Sequence, residues 1–479
     1  MEYATYLDKV RACWLGKNIG GTLGAPFESY RCALDLDYYT HDLSKGVLPN
    51  DDLDLQLVWL NAAENHGKDV NAEILSTYWI SGITAYWSEY GAGMNNLENG
   101  ILPPCSGNYK NVFKESCGAF IRSEIWACLA PGVPNVAIKY AIMDASIDHG
   151  LSEGTYGEMF TASLESLAFF ENDLRTLIEK ALSFIPDNCR VARAVKLVLD
   201  CYDNNVPWQE TRERVLEDSK DLGWFMAPGN IAFTILGLVY GEGDFKKSLI
   251  YAINCGDDTD CTGATAGSVL GIIKGASGIP EDWKEYIGDR IIPICVNASY
   301  RERIPATCTQ LTEWVIDTLP MVMNEYGIDV EFTDGASEID SAEAAKVLDG
   351  YVADVFSRSR WSFEVNSITH TDAIVEYEKA PQVKPGDTFK IKVTLKNKRY
   401  DPHYYEVNTQ LPEGWTADYD RVIYAAHNTV EVSRFGTGIG TWEMTITVGE
   451  NVAPVNRIPI VLTSLAHAVP VTIPVVLVG

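Results

Sequence analysis

Two short acidic clusters, far apart in the chain, constrain this sequence more than any other feature. The first occupies residues 50–54 (NDDLD), and the second occupies residues 257–260 (DDTD), followed by the small-residue run 262–267 (TGATAG). Each cluster precedes a helix-like segment, so its carboxylates are expected at the start of a buried helix, where unpartnered charges are costly. If the fold joins the clusters, up to six carboxylates converge, and such a group repels itself unless hard divalent cations bind it.

Simpler interpretations exist for each acid taken alone. Asp at a helix start is usually an N-cap. The Asp-x-Asp spacing of residues 258–260 also occurs in calcium loops, but the EF-hand pattern needs a central Gly and a Glu at its twelfth position, and neither cluster supplies them. The small residues that follow the second cluster favour close packing of their helix, which would bury its first turn. Buried carboxylates there need cations or hydrogen bonds.

Size and composition exclude several classes of protein. The 479 residues are too many for one hydrophobic core, so two or more domains are expected. A net charge of -28 argues against a nucleic-acid partner, which needs a basic footprint. Neither a signal peptide nor an apolar run of membrane-spanning length is recognisable. The eleven cysteines, an odd number without CxxC pairs, are typical of reduced thiols, so a cytoplasmic location is expected.

The apolar periodicity changes once along the chain. Up to about residue 318 apolar residues recur at helical spacing, as at 190–201 and 245–254, with loops expected at the Gly-, Pro- and Asn-rich residues 91–108 and 226–230. From about residue 389 they alternate with polar residues between turn signals, which predicts short antiparallel strands.

The predicted architecture therefore has three parts. They are an all-α domain at residues 1–323, a linker at 324–360 with one helix over residues 341–356, and an all-β, immunoglobulin-like sandwich at 361–479.

Three motifs occur in the order and spacing of the ADP-ribosylglycohydrolase family. They are residues 23–28 (LGAPFE), 50–52 (NDD) and 256–261 (GDDTDC) with its Ala/Gly-rich helix. Residues 1 to about 320 resemble this family. The resemblance implies an all-α fold with two magnesium or manganese ions in a central cleft. It also implies hydrolysis of the bond between an anomeric ribose carbon and a protein side chain or small group.

Transferred position by position, the resemblance implies six metal ligands. These are Asn50, Asp51, Asp52, Asp258, Asp260 and Cys261. Asn50 and Cys261 depart from the family pattern, which usually has Thr or Ser at the first position and Thr at the second. An Asn amide oxygen suits a hard cation, whereas a thiol is a poor magnesium ligand. Cys261 is therefore expected to drop out, to weaken one site or to favour manganese.

The resemblance also implies catalytic acids. Glu28 matches a family acid that approaches the substrate, and either Glu28 or Asp52 is expected to activate the attacking water; a surface carboxylate is the alternative for Glu28. Residues 117–126 (CGAFIRSEIW) stand where many members have a Gly-rich substrate loop. Glu124 is expected in an apolar setting that suits a general acid. An internal ion pair, with Arg122 or a similar residue, is the alternative.

Four residues are expected to bind the substrate: Arg122, His149, Tyr156 and Asn230. Arg122 is retained in register within the altered loop, and the family often has a His in the region of His149, near substrate phosphates. A structural role for His149 and a helix-surface position for Tyr156 are the alternatives. Because the loop differs, ADP-ribose itself is in doubt.

The C-terminal region carries a second resemblance. Residues 383–387 (VKPGD) and 411–415 (LPEGW) are similar to immunoglobulin-like domains attached to bacterial glycosidases. Its aromatic residues would either stack on sugars or pack on the faces of the sheets. They are Tyr400, Tyr404, Tyr405 and Trp415.

The sequence thus predicts a metal-dependent hydrolase of an N- or O-glycosidic bond in a ribosyl or other sugar conjugate. A small glycoside or nucleoside-like compound is preferred over ADP-ribosylated protein or a related ADP-ribose conjugate, because of the altered loop at residues 117–126 and the sandwich domain. An ADP-ribosyl-protein hydrolase proper and a non-catalytic binding or structural member are the alternatives. The expected partner is a sugar conjugate or an ADP-ribosylated substrate, with no nucleic acid and no membrane, and a homo-oligomer is left open.

Overall fold

The computed structural model describes seven stretches of the chain. These are residues 2–299, 304–328, 346–366, 371–398, 401–426, 438–464 and 470–479. The chain divides into two compact units, the first built from residues 1–91 and 112–352 and the second from residues 92–111 and 353–479.

Helices account for the N-terminal two thirds of the described chain. In order they are α1 (Tyr3–Gly24), α2 (Asp54–His66), α3 (Ala72–Gly82), α4 (Ser88–Glu98), α5 (Cys105–Asn108), α6 (Glu124–Leu129), α7 (Pro134–Ala145), α8 (Glu153–Ala168), α9 (Leu174–Leu182), α10 (Arg190–Asp203), α11 (Trp208–Asp218), α12 (Ala227–Tyr240), α13 (Phe245–Asn254), α14 (Thr259–Lys274), α15 (Glu281–Lys284), α16 (Cys308–Met323) and α17 (Tyr351–Ser357). A 3-10 turn at Asp51–Leu53 leads into α2. None of the described helices is both long enough and apolar enough to cross a bilayer.

The backbones of α1 and α14 are in direct contact along a stripe of glycines. A Cβ on Gly16 would lie 2.0 Å from the carbonyl oxygen of Gly267, and a Cβ on Gly20 would lie 1.9 Å from that of Gly263. Any side chain at these positions would force the two helices apart. The expected close packing of the small-residue helix is thus observed, and its partner is α1.

The prediction of an all-α N-terminal region is confirmed. Residues 190–201 lie within α10, and residues 245–254 form α13. The structure places the described helical part of the predicted linker at Tyr351–Ser357, whereas residues 341–345 lie outside the described residues.

The two loop predictions are wrong in part. Residues 91–98 continue α4, because Tyr90, Met94 and Leu97 are buried at helical spacing and outweigh the weak helix propensity of the Gly and Asn residues around them. Residues 227–230 begin α12, with a Pro in the first turn, where its missing N–H is not needed.

Nine strands in the described residues form two antiparallel sheets in the second unit. They are β1 (Ser362–Asn366), β2 (Thr371–Tyr377), β3 (Thr388–Asn397), β4 (His403–Thr409), β5 (Thr416–Tyr419), β6 (Val422–Ala425), β7 (Ile439–Thr447), β8 (Val455–Ser464) and β9 (Val471–Val478). One sheet has the order β1-β2-β3-β7-β5, and the other has the order β6-β4-β8-β9. The predicted all-β C-terminal region is confirmed.

The core of the second unit follows the alternation seen in the sequence. In β3, Phe389, Ile391 and Val393 are buried, whereas the residues between them are exposed. Val393 pairs with Trp442 of β7. Residues 92–111, which sequence analysis places within the helical domain, belong to this unit, and the side chains of Ile101, Cys105 and Tyr109 join the same core.

The C-terminal aromatics mostly serve packing. Tyr405 and Trp415 are buried, at 0% and 5% exposure. Tyr404 is exposed, with its ring 4.9 Å from that of Tyr424. Tyr400 lies outside the described residues.

Replacing Gly267 by Ala should strongly destabilise the first unit, because the new Cβ would lie 2.1 Å from the carbonyl oxygen of Gly16. We expect a cost of about 3 kcal/mol or more, seen as a fall of at least about 6 °C in melting temperature. The matched control is Gly229→Ala in α12, where the nearest atom to a Cβ is 3.8 Å away. Equal melting temperatures for the two variants would contradict the role of the glycine contact.

Candidate metal centre and active-site cavity

The glycine contact brings the segment after α1 beside the second acidic cluster. A Cβ on Gly24 would lie 2.2 Å from the carbonyl oxygen of Thr259, and the Thr259 hydroxyl donates a hydrogen bond to the Gly24 carbonyl at 2.8 Å. The backbone N–H of Ser29 donates to the carbonyl of Asp257 at 2.9 Å. Glu28 is thereby held beside the start of α14.

The second cluster enters α14 through a turn with left-handed backbone. Gly256 and Asp257 have φ values of +76° and +63°, and this region costs a non-glycine residue about 1 kcal/mol or more. The Asp257 carboxylate accepts hydrogen bonds from Arg31 at 3.2 and 3.4 Å, and the Asp257 N–H donates to the Tyr30 carbonyl at 2.9 Å. The side chain of Asp257 therefore stabilises the turn.

Asn230 holds the same turn from behind. Its side-chain oxygen accepts the backbone N–H of Asp258 at 3.1 Å, and its side-chain nitrogen donates to the carbonyls of Trp224 and Met226 at 2.8 and 3.0 Å. Asn230 thus positions a cluster residue and is not among the residues that line the cavity described below. Tyr156, on α8, is also absent from that lining.

In the first cluster, the side chains of two residues accept hydrogen bonds from backbone N–H groups. The side-chain oxygen of Asn50 accepts the N–H of Asp52 at 2.8 Å, so Asn50 caps the turn before α2. The Asp54 carboxylate accepts the N–H groups of Ile294 and Cys295 at 2.7 and 2.5 Å. Asn50 therefore acts as an N-cap, which is the simpler role expected for a residue at a helix start.

Four carboxylates and one thiol form two groups of potential metal ligands. Ligand atoms of Asp52, Asp260 and Cys261 all lie within 4.8 Å of one another, and so do oxygens of Glu28, Asp258 and Asp260. Asp260 belongs to both groups. The fold therefore joins the two acidic clusters and adds Glu28 to them.

Burial, together with the charges of neighbouring acids, raises the pKa of these carboxyls. Burial, followed by the charge of Asp260, raises the pKa of Asp51 to about 7. Removal from bulk water and the same charge raise the pKa of Glu28 to about 7, although this residue is exposed at the rim. Burial is the main reason why the pKa values of Asp52 and Asp258 lie well above their usual range. Without cations, these carboxyls favour the protonated form.

The donor set fits hard divalent cations. Oδ2 of Asp52 and Oδ1 of Asp260 are buried and have no hydrogen-bond partner in the described part of the chain. Burial raises the pKa of the Cys261 thiol well above its usual range, and the thiol donates to Oδ1 of Asp52 at 3.6 Å. Unpartnered carboxylate oxygens are the ligands that magnesium and manganese prefer, whereas a neutral thiol is a poor ligand for them.

A cavity of about 200 Å³ adjoins the carboxylates. Its lining comprises five acids (Glu28, Asp51, Glu89, Asp258, Asp260), four aromatic residues (Trp87, Tyr90, Trp224, Phe225) and Ser88, Cys117, Gly118, Ile121 and Cys261. Among these lining residues, all within the described chain, none carries a Lys, Arg or His side chain. The carboxylates can accept hydrogen bonds from hydroxyl groups, and the rings offer flat apolar surface.

The expectation of an apolar setting for Glu124 is wrong. Its carboxylate accepts hydrogen bonds from Lys17 at 2.6 Å, Gln56 at 2.9 Å and Ser268 at 3.0 Å. Glu124 is also absent from the cavity lining. Glu124 therefore forms an internal ion pair, which was the alternative interpretation, but its partner is Lys17 and not Arg122.

Arg122 and His149 lie in a second buried network. The Arg122 guanidinium pairs with Asp144 at 2.8 Å and with Asp148 at 2.7 Å. Nδ1 of His149 lies 2.8 Å from the Asp148 carboxylate, and its Nε2 lies 3.1 Å from the Ser116 hydroxyl. Neither residue lines the cavity, so direct contact with a substrate there is not supported.

Sequence reasoning missed most of the cavity wall. Residues 87–90 (WSEY) supply two aromatic rings and Glu89, and residues 224–225 (WF) supply two more rings. An acid between aromatic residues in the first turn of a helix is a usable signal for a binding surface. The isolated Lys17 in the apolar α1 was a comparable signal for a buried acidic partner.

A comparison with models of known protein families assigns the chain to one of them. The family model for ADP-ribosylglycohydrolase matches residues 2–317, and the chain belongs to this family. Membership supports a glycohydrolase-type function, and the family is generally metal-dependent. An "Uncharacterized protein" of Archaeoglobus fulgidus is 23% identical over 300 residues, which are 59% of this chain and 92% of that protein.

Two solved structures are also similar to parts of the chain. One is described as an "ADP-ribosylglycohydrolase-related protein complex", with 19% identity and a TM-score of 0.45 over 66% of this chain and 99% of that chain. The other is a FixG-related protein from Vibrio parahaemolyticus, with 8% identity and a TM-score of 0.19 over 23% of this chain and 98% of that chain. The family assignment rests on the family model.

The crowded carboxyls predict a pH-dependent response to cations. In metal-free protein, Asp51 and Glu28 have folded-state pKa values of about 7, above their unfolded values near 4. Their contribution to stability is present below about pH 4 and is lost as the pH rises through about 7. Cations compete with those protons, so millimolar magnesium or manganese should raise the melting temperature more at about pH 8 than at about pH 5. Equal shifts at both pH values, measured by thermal denaturation, would contradict cation binding at these carboxyls.

Proposed function

We propose that the protein is a metal-dependent glycohydrolase that cleaves the glycosidic bond of a compact sugar conjugate. Two divalent cations, magnesium or manganese, are proposed for the paired acidic clusters. The proposed ligands are Asp51, Asp52, Asp258 and Asp260, with Asn50 and Cys261 at the margin. The unpartnered oxygens of Asp52 and Asp260 support this assignment.

The observation that carries the proposal is the chemistry of the cavity. Its volume of about 200 Å³ is below the roughly 300–1,000 Å³ of pockets for drug-sized ligands, so it suits a monosaccharide unit. Its described lining combines acids with four aromatic rings and has no basic side chain to pair with a pyrophosphate. An uncharged, polyhydroxylated ligand matches this surface better than a nucleotide sugar does.

The bound cations and the residues of the site would have separate roles in the reaction. Bound cations would supply Lewis acidity toward sugar hydroxyls and neutralise the clustered acids. Glu28, at the rim, would take the proton of a water that attacks the anomeric carbon. The rings of Trp87 and Trp224 would hold one face of the sugar while the bond to the leaving group breaks through an oxocarbenium-like transition state. Asp52 is not among the residues that line the cavity and would hold a cation with Asp260.

Two alternative functions compete with this proposal. An ADP-ribosyl-protein hydrolase is favoured by the family, but the acidic cavity speaks against it. A non-catalytic member would not need unpartnered buried acids, which are costly to keep.

All eleven cysteines are free, which supports a reducing, cytoplasmic location.

Replacing Asp260 by Asn should abolish function, because this residue belongs to both carboxylate groups. We expect kcat/KM for the best substrate in a panel of 4-nitrophenyl glycosides to fall at least about 100-fold, equivalent to about 2.7 kcal/mol. Manganese binding measured by calorimetry should weaken in parallel. The matched control is Asp187→Asn, at a carboxylate that is 95% exposed. Unchanged turnover and metal binding in Asp260→Asn would contradict the proposal.

The substrate class can be tested with two ligands that share a ribose. Calorimetry on the magnesium-loaded protein should show that ADP-ribose binds no more tightly than free ribose, because the cavity lining has no basic group for the pyrophosphate. Binding of ADP-ribose at least about 100-fold tighter than ribose, about 2.7 kcal/mol, would instead favour the ADP-ribosyl-protein hydrolase.

A further inference from the structure

Glu89 is a second acid of the cavity, separate from the proposed metal ligands. It lies at the start of α4, lines the cavity and is only 5% exposed. Its Oε2 atom is buried and has no hydrogen-bond partner among the described residues. A buried, unpartnered carboxyl oxygen on the wall of a cavity is available to a ligand inside it.

Two residues adjoin the carboxyl group. A Cβ on Gly118 would lie 2.2 Å from Oε1 of Glu89, so an alanine at this position would displace the carboxyl. Ser116 hydrogen-bonds the Glu89 side chain, and the Ser116 hydroxyl in turn lies 3.1 Å from Nε2 of His149. His149 contacts Asp148 at 2.8 Å. The buried Asp148–His149 pair is thus connected through Ser116 to Glu89 on the cavity wall.

We propose that Glu89 is the general acid that protonates the leaving group, with Ser116 and His149 as positioning residues behind it. This assignment rests on the glycohydrolase function proposed above. In the step, an oxygen of water forms a bond to the anomeric carbon and gives one proton to Glu28. The bond from that carbon to the leaving-group oxygen breaks, and this oxygen receives the proton of Glu89. Exchange with solvent then returns the proton from Glu28 and reprotonates Glu89.

The electrostatics of the site agree with this role. Burial, followed by the charge of Asp148, raises the pKa of Glu89 to about 8, and the hydrogen bond from Ser116 and the charge of Arg122 act in the opposite direction. In the metal-free protein Glu89 therefore favours its protonated form at neutral pH, which is the form that a general acid needs. The charged and titratable groups around it are Asp148 and Arg122 from behind, and Glu28, Asp51, Tyr90, Cys117, Asp258, Asp260 and Cys261 along the cavity.

The test compares two leaving groups on one sugar. The sugar is the one that the wild type cleaves best in a panel of 4-nitrophenyl glycosides, and the partner substrate is its methyl glycoside. A nitrophenolate leaves without protonation, whereas a methoxide does not. In Glu89→Gln, we expect kcat/KM to fall about 10²–10⁴-fold for the methyl glycoside and less than about tenfold for the nitrophenyl glycoside. The basic limb of the wild-type pH profile for the methyl glycoside should also disappear.

Two further variants separate this role from a structural one. Gly118→Ala keeps the carboxyl but displaces it, so the same dependence on leaving group is expected even if Glu89→Gln folds poorly. Glu98→Gln, at an exposed acid on the same helix, should match the wild type. Equal losses for both substrates in Glu89→Gln and in Gly118→Ala would overturn the assignment of Glu89 alone. Failure of the wild type to cleave any glycoside would overturn the proposed function and this assignment with it.

Discussion

The backbone contact between α1 and α14 is the constraint on which the site depends. Glycines on both helices let the main chains touch, with no space for a Cβ at Gly16 or Gly20. The same contact places the residues after α1 beside the residues that begin α14, and the hydroxyl of Thr259 ties the two together. Carboxylates that are remote in sequence are therefore forced into one small volume, where burial and neighbouring charges raise their pKa values.

Much of the fold could be predicted, because its signals are local. Helical and alternating periodicities identified the all-α region and the β-strands, and the small residues of α14 indicated a close helix partner. The acidic clusters were also recognisable from sequence. The chain alone could not show which acids would face one another. Asp54 and Asp257 look like their neighbours in sequence, yet they bind backbone amides and Arg31.

The errors concern residues whose roles depend on distant partners. Glu124 stands beside apolar residues in sequence, but folding brings Lys17 to within 2.6 Å of it and makes it part of an ion pair. Glu89 has no neighbouring motif, and its place on the cavity wall follows from the position of α4 and from the space left by Gly118. Tertiary contacts of this kind leave no periodic pattern in a single sequence. The Gly and Asn residues at 91–98 suggested a loop, but these residues continue α4 because burial of its apolar side chains outweighs their weak helix propensity.

The central claim is that the two acidic clusters form one dinuclear cation site. Anomalous diffraction from manganese-loaded crystals would test it most directly. The account predicts two anomalous peaks, both adjacent to Asp260, one on the side of Asp52 and the other on the side of Glu28 and Asp258. No peak at these carboxylates, or peaks only elsewhere on the acidic surface, would contradict it.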